Sequence, residues 1–395
     1  MFEGCTSLEE APDLPATELA PECYEEMIWG CISLEKAPEL PAQVLTTGCY
    51  TNMFYQCSSL EKAPELPAET LAESCYKEMF SGCSSLKTAP ELPATKLALD
   101  CYMYMFVDCV SLEEAPALPA TELDVDCYYA MFCGCSSLKE APELPAKKLA
   151  ASCYESMFSG CASITTAPAL PVTTLEKSCY CDMFSVCTSL TNAPVLPATT
   201  LAEDCYMSMF DACTLLVNAP ELPAMTLANG CYSSMFQGSG LVTAPELPAT
   251  TLANECYTAM FQNCSEFKNA PELPATTLTE SCYSGMFGNT PLETAPALPA
   301  TTLAKDCYSN MFHDCTLLVT APELAATTLA ETCYKYMFDG CSSLASITML
   351  ATSNFSSDNF EGWVNYVPSG GTFTKAAGVS LPFGCVPSGW GVVEI

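Results

Sequence analysis

The feature that most constrains this chain is a segment of 26 residues that returns along almost its whole length. Counted from an Ala-Pro pair, it begins thirteen times, at Ala11, Ala37, Ala63, Ala89, Ala115, Ala141, Ala167, Ala193, Ala219, Ala244, Ala270, Ala295 and Ala321. The copies at Ala219 and Ala270 are one residue short, and both gaps lie between the Met-Phe pair and the next Leu. A repeat of this length indicates stacked coils, because each coil can bury its apolar face only against its neighbours.

The repeat divides the chain into three parts. Residues 1–10 form a partial repeat, residues 11–346 the thirteen-copy array, and residues 347–395 a segment without the period. That last segment is rich in aromatic residues, namely Phe355, Phe360, Trp363, Tyr366, Phe373, Phe383 and Trp390. We expect it to cap the array, or alternatively to bind carbohydrate. Because the chain begins inside a repeat, we expect self-association through its N-terminal edge, or further repeats upstream.

The second half of each copy has apolar residues at four-residue spacing. In the third copy they are Leu71, Cys75, Met79 and Cys83, with Tyr76 and Phe80 on the next stripe. This spacing predicts one short amphipathic helix per copy, of about three turns. The Tyr and Met columns run through all thirteen copies, so we expect them to form the shared core rather than a ligand groove.

Two proline columns follow the predicted helix, at Pro64 and Pro67 in the third copy. Pro fills the first column in all thirteen copies and the second in twelve, the exception being Ala325. Because proline cannot donate to a β-ladder, we expect a short parallel strand near residues 86–89 that ends at the prolines. Pro-Glu-Leu-Pro would then form a polyproline II corner. The predicted fold class is an α/β repeat solenoid with short parallel strands, proline-rich corners and one short helix per repeat.

The 28 cysteines fall mainly at two positions per copy, eight residues apart, as at Cys75 and Cys83. On a helix that separation is about 12 Å, whereas the Cα atoms of a disulfide lie within about 7 Å. Buried free thiols are therefore favoured, with disulfides as the alternative. The extra cysteines Cys133 and Cys181 lack the spacing of a zinc site, so no metal or other cofactor is expected.

Charge excludes several classes of partner. The chain has 46 acidic and 13 basic residues, and every basic residue is lysine. Nucleic acid requires a basic face, and anionic membrane surfaces disfavour such a chain for the same reason. No apolar run reaches the length of a membrane span. With a single histidine, His313, and no catalytic constellation, we expect no enzyme.

The run CYKEMFSGCSSLKTAPELPA, at residues 75–94, resembles the BspA-like leucine-rich repeats of bacterial surface proteins, in the variant found in gut Bacteroidetes. The resemblance covers residues 1 to about 345, and the C-terminal segment resembles the ending that follows such repeats. It implies a right-handed superhelix, display at the cell surface, and adhesion to host matrix proteins, glycans or other bacteria. It carries over no catalytic residues, because the motif is structural.

Function is expected where copies differ and point outward. One candidate surface column is the acidic residue after Ala-Pro, at Glu39, Glu65, Glu91, Glu143, Glu221, Glu246, Glu272 and Glu323. The other is the variable pair before Ala-Pro, at Glu35, Lys36, Glu61, Lys62, Lys87, Thr88, Glu113 and Glu114. A solvated acidic face that maintains solubility is the competing interpretation.

The sequence therefore favours a non-enzymatic extracellular adhesin or display scaffold that binds a protein or glycan. The alternative is a structural part of a larger assembly, such as a phage tail fibre or surface filament, that stacks end to end. Localisation is expected at the cell surface, or in a phage virion for that alternative.

Overall fold

The computed structural model describes residues 1–382 and 384–395. Phe383, one of the predicted cap aromatics, lies outside the described residues. The chain forms two compact units, Met1–Val195 and Leu196–Ile395, and repeats stack as coils within each. The regular elements of the described residues are β1 (Thr320–Leu324), β2 (Ser346–Met349), β3 (Thr372–Lys375), β4 (Gly391–Glu394) and a 3₁₀ helix, Asp358–Phe360.

The prediction of one helix per repeat was wrong. Residues 73–82, at the predicted position, form a run of turns. The N–H groups of Cys75, Lys77 and Met79 donate to the carbonyl three residues earlier, at 3.2–3.3 Å. The alternate N–H groups, those of Tyr76 and Phe80 among them, donate at 2.7–3.1 Å to the carbonyl 25 residues later in the next coil. Half of the backbone donors therefore close β-turns and half join neighbouring coils.

Every fourth residue of the turn segment has a left-handed backbone. In the third copy these are Ser74, Glu78 and Gly82, with φ of 53°, 55° and 75°. Each is the third residue of a β-turn, where a type II turn requires positive φ. The conformation costs a non-glycine residue about 1–2 kcal/mol, and the inter-coil hydrogen bonds offset that cost because they form only in this geometry.

A repeat of two turns every four residues explains the apolar spacing. Cys75 and Met79 occupy equivalent positions in successive turns and are fully buried, as are Tyr76 and Phe80. The two intervening positions of each turn, such as Lys77 and Glu78, are half-buried at the surface. The turn segment therefore has two inward and two outward columns.

Aromatic ladders fill the core of each unit. In the first unit the tyrosines from Tyr24 to Tyr180 stack with ring centroids 5.7–6.0 Å apart and planes within 10°. The phenylalanines from Phe54 to Phe184 stack in the same way. In the second unit equivalent ladders begin at Tyr206 and Phe210. Offset stacking of this kind adds about 0.5–1.5 kcal/mol per pair beyond area burial.

All 28 cysteines are free thiols, as favoured by the sequence. In the second cysteine column the Sγ of Cys83 donates to the Phe54 carbonyl of the preceding coil at 3.1 Å, and Cys109 repeats the contact with Phe80. Burial raises the pKa of these thiols well above 9.0. They act as small core residues, and the Sγ of each also donates to a backbone carbonyl of the preceding coil.

The short strand predicted near residues 86–89 does not form, and only Thr88 pairs there, in isolated bridges. Between most coils parallel pairing is reduced to isolated bridges that flank the proline segment, such as Lys62↔Thr88 before it and Thr70↔Lys96 after it. Among the described residues a parallel sheet, of order β1-β2-β3-β4, forms only at the end of the chain. There Ala325 replaces the second proline and β2 contains none, while Pro322 remains in β1 where its register with β2 is irregular.

Residues after the last repeat pack on its apolar side. Trp363 is fully buried, stacks on Tyr334 at 6.2 Å, and donates from Nε1 to the Cys385 carbonyl at 3.1 Å. Phe360 and Phe373 are buried beside it. These rings serve packing, because an aromatic platform for sugar must be exposed.

Candidate binding surface

The Ala-Pro-x-Leu-Pro segments of successive coils, together with the two residues before each, form a surface that we call the proline face. In the third coil it comprises residues 61–67. Leu66 is buried and anchors the segment, while Glu65 and Pro67 are exposed. Among the described residues of this coil, Glu65 and Leu66 make no backbone hydrogen bond to a neighbouring coil. Their N–H and C=O groups therefore remain for water or a ligand.

Loss of the backbone ladder leaves open grooves between neighbouring proline segments. One groove of 440 Å³ separates residues 35–41 from 62–67. A second, of 500 Å³, separates residues 62–67 from 88–93. A third, of 690 Å³, lies in the second unit between residues 243–248 and 269–274. The repeat thus builds a similar proline-lined groove three times, with a glutamate on each side.

The structure places much of the predicted surface at these grooves. Glu39, Glu65 and Glu91 line the first two grooves, with Glu35, Lys36, Lys62 and Thr88 beside them. Glu246 and Glu272 line the third. All of these residues are exposed, so each groove has an apolar wall and an acidic rim.

The remaining predicted residues are exposed but line none of these three grooves. They are Glu61, Lys87, Glu113, Glu114, Glu143, Glu221 and Glu323. Glu323 lies in β1, where it pairs with Thr348. The sheet replaces the groove there.

Ion pairs between coils neutralise several lysines before Ala-Pro. Lys87 contacts Glu61 at 3.0 Å, Lys139 contacts Glu113, and Lys36 contacts Glu10. The hydrogen bond to Lys139 lowers the pKa of Glu113. Each pair is largely exposed, so solvent screens it and it contributes little to stability. On the groove rims Lys36 thus has a carboxylate partner in the preceding coil, whereas Lys62 offsets part of the negative charge of the first two grooves.

A second set of grooves lies just after the prolines, on the other side of the same corner. One of 470 Å³ is lined by residues 146–149 and 171–176, including Lys147 and Lys148. Another of 460 Å³ is lined by Gln43, Val44 and residues 67–71. Two lysines and Glu176 line the first of these grooves, whereas the second contains Glu69 and no lysine.

The described residues contain neither a candidate metal site nor a candidate membrane span. No group of three or more His, Cys, Asp or Glu side chains there is arranged to hold a metal ion. Nor does the described part of the chain contain a helix long and apolar enough for a membrane span.

The prediction from the sequence included the carboxylates but not the groove walls, which are prolines such as Pro38, Pro41 and Pro64. The available signal was the proline column itself. A segment that cannot donate to its neighbour on either side must separate from it locally.

The fold and this surface define a repeat protein built from stacked coils. The family model of a BspA type leucine rich repeat region, in six copies, matches residues 1–113 and 101–219, which together exceed half of the chain. The chain therefore belongs to the BspA type leucine-rich repeat family, as the resemblance indicated. No curated protein and no solved structure matches it significantly.

Proposed function

We propose that the chain is a non-enzymatic adhesin or display scaffold at the cell surface, and that it binds a protein or glycan along the proline face. The observation that carries the proposal is the groove repeated between proline segments in both units. Family membership supports a scaffold, and family alone does not fix a ligand.

The grooves suit an elongated ligand. Each offers a rigid apolar wall, because proline has little conformational freedom to lose on binding. Each also offers backbone N–H and C=O groups without partners in a neighbouring coil, such as those of Glu65 and Leu66. Two similar grooves on successive coils of the first unit would increase affinity through multivalency.

The acidic rim restricts the ligand further. Glu39, Glu65 and Glu91 are exposed on consecutive coils, and the net charge of the chain is −33. A ligand with lysine or arginine groups, or an uncharged glycan with many hydroxyls, is compatible with this rim. An anionic polysaccharide is not.

The test is an array of matrix proteins, mucins and bacterial glycans probed with the whole chain. The wild type is compared with a triple variant, Glu39→Gln, Glu65→Gln and Glu91→Gln, which removes three rim charges and leaves the prolines in place. We expect the variant to lose at least tenfold in affinity for any ligand that the wild type retains.

The matched control changes net charge equally on the turn segments, with Glu22→Gln, Glu25→Gln and Glu73→Gln. All three residues are exposed and away from the grooves. The proposal predicts that this control binds like the wild type. Equal losses in both variants would point to net charge alone, and an array without signal would refute the proposal.

A further inference from the structure

The two outward columns of the turn segments form a second surface, which we call the turn face. In six of the thirteen coils its positions are all polar or small, and five others carry one larger apolar or aromatic side chain, such as Trp29 or Tyr55. In residues 73–82 it consists of Glu73, Ser74, Lys77, Glu78, Ser81 and Gly82. In residues 151–160 it consists of Ala151, Ser152, Glu155, Ser156, Ser159 and Gly160. Neither copy has a large apolar side chain at any of the six positions. The fold itself therefore does not require one there.

The two coils between them depart from that pattern. Their outward positions carry a cluster that we call the apolar patch, made of Leu99, Met103, Tyr104, Val107, Val125 and Tyr129. Leu99 is 38% exposed and Val125 37%. The other four are half-buried. An exposed apolar cluster surrounded by polar residues is typical of an interaction site.

Two tyrosines lie at the centre of the patch. The rings of Tyr104 and Tyr129 are 5.2 Å apart and meet edge to face at 79°. Burial, followed by a hydrogen bond with Tyr104, raises the pKa of the Tyr129 hydroxyl. Tyr104 also has φ of 58°, a conformation that favours glycine or asparagine.

The rim of the patch is acidic. Asp100 and Asp126 occupy the same turn face, and Lys77 reaches only the first of them, at 3.3 Å. Burial and the neighbouring Asp100 raise the pKa of Asp126. Asp108 is an exposed carboxylate of the same coil. A partner that brings a cation to Asp126 would stabilise its charged form against both desolvation and the repulsion from Asp100.

We propose that the apolar patch docks a protein segment with large apolar side chains at its centre and lysine or arginine on its flanks. Apolar complementarity comes from Leu99, Val125 and the two tyrosines, and charge complementarity from Asp100 and Asp126. This site is separate from the proline face and does not depend on it.

Two other occupants fit less well. A glycan stacks on flat, exposed ring faces and takes hydrogen bonds from polar groups, whereas these rings are mutually edge-on and flanked by Leu99 and Val125. A second copy of the chain would bring two acidic rims together, at a net charge of −33 each.

The test begins with random 12-residue peptides displayed on phage and selected on the whole chain. The counter-selection uses a fourfold variant, Leu99→Glu, Met103→Thr, Tyr104→Asn and Tyr129→Ser. Each new residue already occupies the same column in another coil, as at Glu73, Thr258, Asn52 and Ser233, so the turn is preserved. Synthetic peptides of the consensus are then titrated by fluorescence anisotropy.

We expect a consensus of aromatic or aliphatic residues flanked by lysine or arginine, with affinity at least tenfold weaker for the variant. The control, Ser233→Thr with Ser234→Asn, changes the turn face of a polar coil and should bind like the wild type. If the fourfold variant loses its fold, Leu99→Glu alone changes one exposed side chain and should still weaken binding.

Several results would overturn the proposal. They are a consensus with acidic flanks, equal binding to wild type and variant, enrichment of no peptide at all, and concentration-dependent self-association that the variant abolishes. Failure of the proline-face array leaves this result unaffected, because the two sets of variants share no residue.

Discussion

Replacing Gly285 with alanine should destabilise the chain, although the same change in a helix would stabilise it. Gly285 lies in the middle of a turn segment, one residue before Met286, with φ of 63°. A Cβ atom there would meet nothing nearer than 3.9 Å, so only the backbone conformation is tested. Ala259, the equivalent residue one coil earlier, already has φ of 52° and provides the reverse experiment.

The sign of the effect distinguishes the two local structures. In a left-handed position alanine costs about 1–2 kcal/mol, partly offset by about 0.4–1 kcal/mol from the smaller entropy of its unfolded chain. The net expectation for Gly285→Ala is a loss of about 0.5–1 kcal/mol, and for Ala259→Gly a similar gain. A helix interior would instead favour alanine by about 1 kcal/mol in both comparisons.

Thermal unfolding followed by circular dichroism measures the difference. For a unit the size of Leu196–Ile395, 1 kcal/mol shifts the midpoint by about 2–4 °C. We expect Gly285→Ala to lower it, Ala259→Gly to raise it, and the double variant to fall near the wild type. A higher midpoint for Gly285→Ala with a lower one for Ala259→Gly would refute the stacked-turn structure.

Three further predictions concern the buried core. Iodoacetamide at pH 8 should label the exposed Cys5 and Cys23 in the native chain. It should spare buried thiols such as Cys57, because burial raises the pKa of that thiol to about 12. Rapid labelling of most of the 28 cysteines, counted by intact mass, would contradict this prediction. The free energy of unfolding should hold from neutral pH to about pH 9 and then fall steeply. Folded thiols keep their protons above the ordinary pKa of 9.0, whereas unfolded thiols release them. An alkaline titration in which the circular dichroism signal stays constant to pH 11 would exclude this linkage. Tyr76→Phe should raise stability by about 1 kcal/mol, because the Tyr76 hydroxyl is buried without a hydrogen-bond partner; a lower thermal midpoint would show that the hydroxyl has one.

The four-residue spacing predicted which residues are buried but not the conformation of their backbone. Leu71, Cys75, Met79 and Cys83 are indeed buried. In an α-helix four residues turn by about 400°, so a strict spacing of four drifts by about 40° at each step. The absence of any three-residue step in this column was the available signal for turns. A single sequence window matches both structures closely enough to mislead.

The proline columns were more informative, because proline cannot donate to a ladder and is tolerated in a strand only at an edge or a bulge, as Pro322 is in β1. Pro64 and Pro67 predicted the break in the sheet, and Ala325 marks where β1 can form. The grooves beside the prolines could not be predicted, since they depend on the separation of two coils. The apolar patch was missed for a related reason: Leu99 and Met103 are recognisable as outward only when the turn has a period of four.

Hydrogen exchange measured by mass spectrometry on the whole chain, free and with a ligand identified from the array, tests the binding surface most directly. In the free chain the amides of Glu65 and Leu66, which lack backbone partners, should exchange fast, while those of Tyr76 and Phe80, which donate to the next coil, should exchange slowly. Ligand should slow exchange at Glu65, Leu66 and the equivalent amides of adjacent coils. Protection confined to the turn segments, with the proline face unchanged, would contradict the proposed function.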